Sequence, residues 1–349
     1  MKFAAGRALG PEMDSVGAGL PIIRVLRRLL PILAVAACAG GASTTTPIGG
    51  GTSSPSPSPS TPAFIVYWQS WSDTDPTNPY AALGSVPSRA SAVDIAFLTI
   101  NGNIVRAPEN QLPLEPGAAA LHQAGLRVVL SIGGSTSTFG ITDLSSVIGA
   151  IRSYVLSHPG VFDGLDVDDE VIAKTGQQDA IAFVTVLHQA FPSFPITWTA
   201  MIDGADSPIN LATGAGEDRA VLQAIGGIVS EVVVMAYDAG GWMPALHPSC
   251  TWGPYVPDDC ATDILQDFAA LPVPGGTLGA SRVVMGLMIV PDAPPPGSLT
   301  PQAMAAYAAW VRAHGFAGMM LWNAERDVPP VSGFPAGSYM SAIAQALGR

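Results

Sequence analysis

The sequence predicts an α/β protein, a (β/α)8 TIM barrel, on three observations. Short apolar, β-branched runs alternate with helical stretches eight times between residues 63 and 349. The runs are apolar almost throughout rather than at every second position, which marks parallel strands covered on both faces. No Gly-x-Gly-x-x-Gly turn follows the first run, so a doubly wound nucleotide-binding sheet is the weaker alternative. Strands are expected at 63–69, 93–100, 127–131, 162–168, 195–201, 231–237, 282–289 and 316–321. Helices are expected between and after them at 79–83, 115–124, 143–157, 177–191, 217–225, 262–270, 301–314 and 338–347.

The chain has 349 residues. Its first 62 divide into two parts. Residues 1–38 read as a lipoprotein-type signal peptide: Arg24, Arg27 and Arg28 precede the apolar run 29–37, too short to span a membrane, and Val35-Ala36-Ala37-Cys38 follows the pattern in which the cysteine takes a lipid. The long run before Arg24 suggests a translation start at Met13 or later. Residues 39–62, rich in Ser, Pro, Gly and Thr, read as an unfolded spacer. With Cys38 lipidated, Cys250 and Cys260 are left as an expected disulfide pinning one loop, which suits an exported, cell-surface or extracellular protein. Two cysteines and His247 are too few for a metal site, and none is expected.

The first 62 residues hold two acids and five bases, which leaves 25 acids against 10 bases in the barrel, a net charge of −15. So acidic a body does not bind nucleic acid through its phosphates, and a neutral substrate fits it better. A membrane is expected only through the lipid, and a monomer is expected.

In a (β/α)8 barrel, chemistry gathers at the C-terminal ends of the strands. Here those ends are Tyr67-Trp68-Gln69-Ser70-Trp71, Ser131-Ile132-Gly133-Gly134, Asp163-Gly-Leu-Asp-Val-Asp-Asp-Glu170, Met235-Ala236-Tyr237-Asp238 and Leu321-Trp322-Asn323. On a strand, Asp166, Asp168 and Glu170 point the same way at roughly 7 Å steps. Stacked carboxylates destabilise a fold unless they share protons, and they lift the pKa of the last member toward general-acid range. Aromatic faces beside carboxylates suit sugar rings. Asp163 has the opposite parity and reads as hydrogen-bonded support. The five histidines form no triad or metal spacing.

These residues resemble glycoside hydrolase family 18, the chitinases and their relatives. Asp163, Gly164, Asp166, Asp168 and Glu170 match the Asp-Gly-x-Asp-x-Asp-x-Glu signature. Ser131, Gly133 and Gly134 match Ser-x-Gly-Gly, Met235, Tyr237 and Asp238 match Met-x-Tyr-Asp, and Trp322 matches the strand-eight tryptophan. The resemblance implies a retaining, substrate-assisted mechanism that needs no cofactor. Glu170 acts as acid/base, Asp168 orients the substrate's acetamido group, Asp166 shares a proton with Asp168, and Tyr237 donates to the acetamido oxygen. Trp322 floors the site, with Asp238, Met235 and Trp68 as further substrate contacts. Ser131, Gly133 and Gly134 are support.

Two features depart from the pattern. Asp169 makes the signature end Asp-Asp-Glu, which resembles the endo-β-N-acetylglucosaminidase branch acting on N-glycan cores. The Met235–Asp238 element resembles the chitinase branch. About 26 residues separate positions 289 and 316, too few for the α+β insertion many processive chitinases carry, so the groove is expected to be open. The expected function is hydrolysis of β-1,4-linked N-acetylglucosamine. The alternatives are the N-glycan reading and a sugar-binding protein without turnover.

Overall fold

Eight parallel strands close into a barrel in the computed structural model, which describes residues 61–87, 89–172, 176–205, 216–237, 260–290 and 299–349. The barrel strands are β1 (Ala63–Gln69), β2 (Ala92–Asn101), β4 (Arg127–Gly133), β5 (Gly164–Asp168), β6 (Ile196–Met201), β7 (Glu231–Met235), β10 (Val283–Met288) and β11 (Gly318–Trp322). Each pairs in parallel with its neighbours, and closure comes from β1, which pairs with both β2 and β11. Helices Leu114–Gln123, Leu144–Ser157, Gln177–Ala190, Glu217–Ile225, Cys260–Ala270, Pro301–Ala313 and Ser338–Leu347 surround it. Two of them start on side-chain caps. Asp143 accepts from the Ser146 N–H, and Thr300, followed by Pro301 at the first helical position, accepts from the Ala303 N–H.

The apolar side chains sort into two cores by strand parity. Phe64, Val66 and Trp68 face outward into the large core under the helices. Ile65 and Tyr67 face inward, into a smaller core with Ala92, Ala96, Val233, Met235, Val284, Met288 and Met320. The inward positions of β5 carry Asp166 and Asp168, which puts two carboxyls inside the barrel.

Several local expectations are corrected. No helix forms at 79–83. Asn78 Oδ1 accepts from the Tyr80 N–H at 2.9 Å, a local turn that competes with helix, and only a 3-10 turn at Leu83–Ser85 follows. Two hairpins are additional: β3 (Ile104–Arg106) returns antiparallel on β2 through Gly102-Asn103, and β8 (Pro272–Val273) pairs with β9 (Gly276–Thr277) around Gly275. Both turns carry the glycines that left-handed backbone favours. A short helix at Pro329–Ser332 is also new. Between β10 and β11 the described residues hold the helix Pro301–Ala313 and no additional domain. No helix among the described residues is long and apolar enough to cross a membrane.

The expectation that Trp68 contacts substrate is overturned. It is 1% exposed in the outer core, and its Nε1–H donates to the Ala81 carbonyl at 2.8 Å. Trp68→Phe is expected to lower stability by about 1–3 kcal/mol in denaturant melts, because Ala81 loses its donor. Trp68→Ala should cost about 3–5 kcal/mol. A Trp68→Phe variant with wild-type stability and weakened oligosaccharide affinity would restore the binding role.

Candidate active site

A cavity of about 500 Å³ opens at the C-terminal ends of the strands. β5 and the turn after it supply Asp168 and Glu170. β7 and the two residues beyond it supply Met235 and Tyr237, and β11 supplies Trp322. Gln69, Trp71, Phe97, Met201 and Met288 complete most of the wall. Strand β5 ends at Asp168, so Glu170 stands in the following turn, half-buried, rather than on the strand itself. Asp238, Cys250 and Cys38 lie outside the described residues.

Asp166 is the most completely satisfied group in the barrel. Its Oδ2 accepts from Ser131 Oγ at 2.6 Å and from the Tyr67 hydroxyl at 2.8 Å. Its Oδ1 accepts from Thr197 Oγ1 at 2.7 Å and Thr199 Oγ1 at 3.0 Å. An ionised carboxylate offers about four acceptor sites, and here four hydroxyls from β1, β4 and β6 fill them. Burial still pushes Asp166 up, but these four donors pull against it. Asp168, 3% exposed, has no such compensation. Burial first, then the neighbouring charges of Glu170, Asp166 and Asp169, hold it well above the usual carboxylate range. Its Oδ1 is buried with no hydrogen-bond partner among the described residues. Of the two, Asp166 has the donors that favour an ionised carboxyl, and Asp168 has the surroundings that disfavour one. Deeper in the barrel, Asp94 is raised by burial and by Asp166, with Arg127 pulling it back.

The Ser131-x-Gly-Gly element lies at this level because two backbones nearly touch. Gly133 has φ +129°, and a Cβ there would stand 1.9 Å from the Asp168 carbonyl oxygen. That same carbonyl accepts from the Gly134 N–H at 2.9 Å. At Gly134, φ +78°, a Cβ would stand 2.7 Å from the Phe97 ring. Only glycine lets β4 run against both the carboxylate strand β5 and the aromatic wall. Trp322 stacks on Phe97 with centroids 5.6 Å apart and planes 15° apart, and it tilts against Tyr67 at 5.3 Å. Phe97 continues outward to Trp71 at 6.4 Å and 27°.

Asp163 sits at the opposite end of β5, where its Oδ2 accepts from the Val128 N–H at 2.8 Å and meets His122 Nε2 at 2.9 Å. It joins β5 to β4 far from the cavity. Asp169 is turned away from the cavity into a gap lined by Phe139, Leu144, Asp179 and Phe183, where its Oδ1 accepts from the Val171 N–H. Trp71, one of the aromatic residues at the first strand's end, does line the cavity. Sequence reasoning missed Tyr67 as a donor to Asp166, Thr197 and Thr199 as its other ligands, and Phe97 as wall. It also missed Glu325. This side chain is 5% exposed, and its Oε1 accepts from the Gln69 N–H at 2.9 Å behind the cavity wall. The hydroxyls of Tyr67, Thr197 and Thr199 on otherwise apolar strands are the signal that was present, and it gains meaning only once Asp166 is placed among them; nothing local marks Phe97 or Glu325. Among the described residues, no group of three or more His, Cys, Asp or Glu could hold a metal ion.

The model of glycosyl hydrolases family 18 matches residues 63–257. A chitinase-like effector of Moniliophthora perniciosa is 23% identical over 206 residues, covering 54% of this chain and 47% of that protein, so the chain spans about half the length of the curated relative it matches. Among solved structures, a chitinase A candidate from Streptomyces coelicolor superposes with a TM-score of 0.62 at 17% identity, over 82% of this chain and 99% of that one. The catalytic domain of a hyperthermophilic chitinase from Pyrococcus furiosus gives 0.60 at 14%, over 82% and 95%. Human YKL-39, described as a pseudo-chitinase with retained chitooligosaccharide binding, gives 0.56 at 15%, over 82% and 100%. At these identities the likenesses establish the fold.

Burial pushes Asp169 up to about 7 and Glu325 up to about 8. Both unfold to values near 4. The folded protein thus keeps protons that the unfolded chain has lost, and the stabilisation is full below about pH 4 and disappears as pH rises through 7 to 8. Melting temperature is expected to fall steadily from pH 5 to pH 8.5. Glu325→Gln should flatten that slope by up to one proton, about 1.4 kcal/mol per pH unit. A profile that rises over this range would contradict the buried-acid assignment.

Proposed function

Because the chain belongs to the glycosyl hydrolases of family 18, we propose that it is a chitinase-type glycosidase cleaving β-1,4-linked N-acetylglucosamine by a retaining, substrate-assisted route. One observation carries this reading. Asp168 and Glu170 face the same cavity as Tyr237 and Trp322, above an Asp166 whose acceptor sites are filled by four hydroxyls.

In this reading a sugar lies on Trp322, and Glu170 protonates the glycosidic oxygen as the leaving group departs. The substrate's own acetamido oxygen closes on the anomeric carbon, giving an oxazolinium ion, while Tyr237 donates to that oxygen. Asp168 holds the acetamido nitrogen. As positive charge develops there, the ionised form of Asp168 becomes favoured, and its proton moves toward Asp166. Tyr67 and Thr199 supply the slack for this transfer. Their hydroxyls lie 3.3 Å apart and either can donate, so one can turn from Asp166 to the other as Asp166 gains a proton. Glu170, now a base, takes a proton from water as that water attacks the anomeric carbon; the bond to the acetamido oxygen breaks, the acetamido group is restored, and configuration is retained overall. The walls supply oriented groups rather than bulk solvent, which is where such electrostatic stabilisation is strongest.

The Asp-Asp-Glu spelling that resembles the N-glycan branch gains no contact with the cavity, since Asp169 faces the gap between two helices. The chitin reading is therefore preferred. With it we place an exported protein tethered by a lipid on Cys38 and a Cys250–Cys260 disulfide. The supporting observations are the Val35–Cys38 pattern and a Cys260 that is 1% exposed at the start of its helix. Intact mass of the non-reduced protein extracted from membranes should show one acylated cysteine and no free thiol; an unmodified chain with free thiols contradicts both.

Chitin oligomers should be cut with retention at the anomeric carbon, and a high-mannose glycoprotein should be left intact. Glu170→Gln is expected to lose at least about 10³-fold in kcat while still binding oligomers. Wild-type turnover by Glu170→Gln would remove the mechanism. Binding without turnover by the native protein would favour the sugar-binding class, and release of glycans alone the N-glycan reading.

A further inference from the structure

The outer rim of the cavity holds a feature the cleavage chemistry does not use. Trp71 is 44% exposed, the one exposed Trp, Tyr or Phe among the described residues. It extends the near-parallel run of rings from Trp322 through Phe97 to the rim. Beside it stands Glu109, exposed, lining the same cavity. Neither is left to a mobile loop. Ser70 Oγ accepts from the Glu109 N–H at 3.0 Å, and Asp73 Oδ2 accepts from the Gln111 and Leu112 N–H groups at 2.7 and 2.6 Å. The segment carrying Glu109 is thereby fastened to the turn carrying Trp71. Backbone anchored in this way fixes where the exposed carboxyl of Glu109 and the half-exposed indole of Trp71 start from, which lowers the ordering cost of binding at the rim.

The charges around this rim are one-sided. Glu109 has no ion-pair partner among the described residues. Among the described residues the cavity's lining includes a single cation, Arg326, whose guanidinium is drawn to the β10 side, where Nη1 donates to the Val290 carbonyl at 2.6 Å. An aromatic face next to an uncompensated carboxylate attracts a cation twice, through the ring quadrupole and through the charge.

We propose that Trp71 and Glu109 form an outer subsite for an aminosugar unit with a free, cationic 2-amino group. The proposal rests on the glycosidase reading and narrows it. The unit over Trp322 must carry an acetamido group to react, while an outer unit is preferred without one. Partially deacetylated chains are then better substrates than fully acetylated ones.

Calorimetry on the Glu170→Gln protein tests this at pH 6 with three tetramers: fully N-acetylated, deacetylated only at the non-reducing end, and deacetylated only at the reducing end. One deacetylated isomer is expected to bind about threefold to tenfold more tightly than the acetylated tetramer. That ratio should fall toward one in Glu109→Gln and shrink in about 1 M salt. Trp71→Ala should weaken the favoured isomer most. If acetylated tetramers bind and neither isomer gains, or if the gain survives Glu109→Gln, this subsite is refuted while the glycosidase reading stands. If no tetramer binds at all, both are refuted.

Discussion

The arrangement depends on one buried charge. Asp166 lies 0% exposed in the barrel interior, where an unsolvated carboxylate would be costly. Four hydroxyls from three strands replace the water it gives up. The next inward carboxyl, Asp168, lacks such donors, and burial and the charge of Asp166 disfavour its ionised form. Two aspartates one strand-step apart thus sit in unlike surroundings at the floor of the cavity. The rest of the interior is arranged around that polarity, with Asp94 and Arg127 continuing the polar column below it.

The glycines and the aromatic wall follow from the same closeness. Gly133 brings β4 against the Asp168 carbonyl, and Gly134 leaves room for the Phe97 ring, which in turn carries Trp322 on one side and Trp71 on the other. A methyl group at Gly133 would push β4 off the carboxylate strand, and one at Gly134 would push it off the Phe97 ring. The carboxyls and the ring stack are held in register by the same two residues. The Ser131-x-Gly-Gly element of β4 is thus the clearance that β5 and the aromatic wall require.

Much of the fold was legible in the chain. Eight alternating runs imposed parallel strands and surrounding helices, and the barrel strands fall within a few residues of the expected ranges. The misses have local causes. Asn78 diverted the expected helix at 79–83 into a turn, and Gly102-Asn103 made a hairpin whose turn signal was readable but unused. At the site, Asp166, Asp168 and Glu170 were legible because their spacing matches the strand period. Tyr67, Thr197 and Thr199 were not singled out, since a hydroxyl on a buried strand means little until its partner is known.

The sequence by itself determined the number and order of the elements, the spacing of the carboxylates and the glycines beside them. These are encoded in runs and short intervals. Only the tertiary structure decided which face of each strand looks inward. A parallel strand covered on both sides has apolar residues at both parities, so composition carries no inside–outside signal. That is why Trp68 looked as fit for sugar stacking as its neighbours, and why barrel closure sends it to the helix-covered core while Tyr67 reaches Asp166. The same closure sets Glu109 beside Trp71 across 38 residues of chain, a juxtaposition with no local trace.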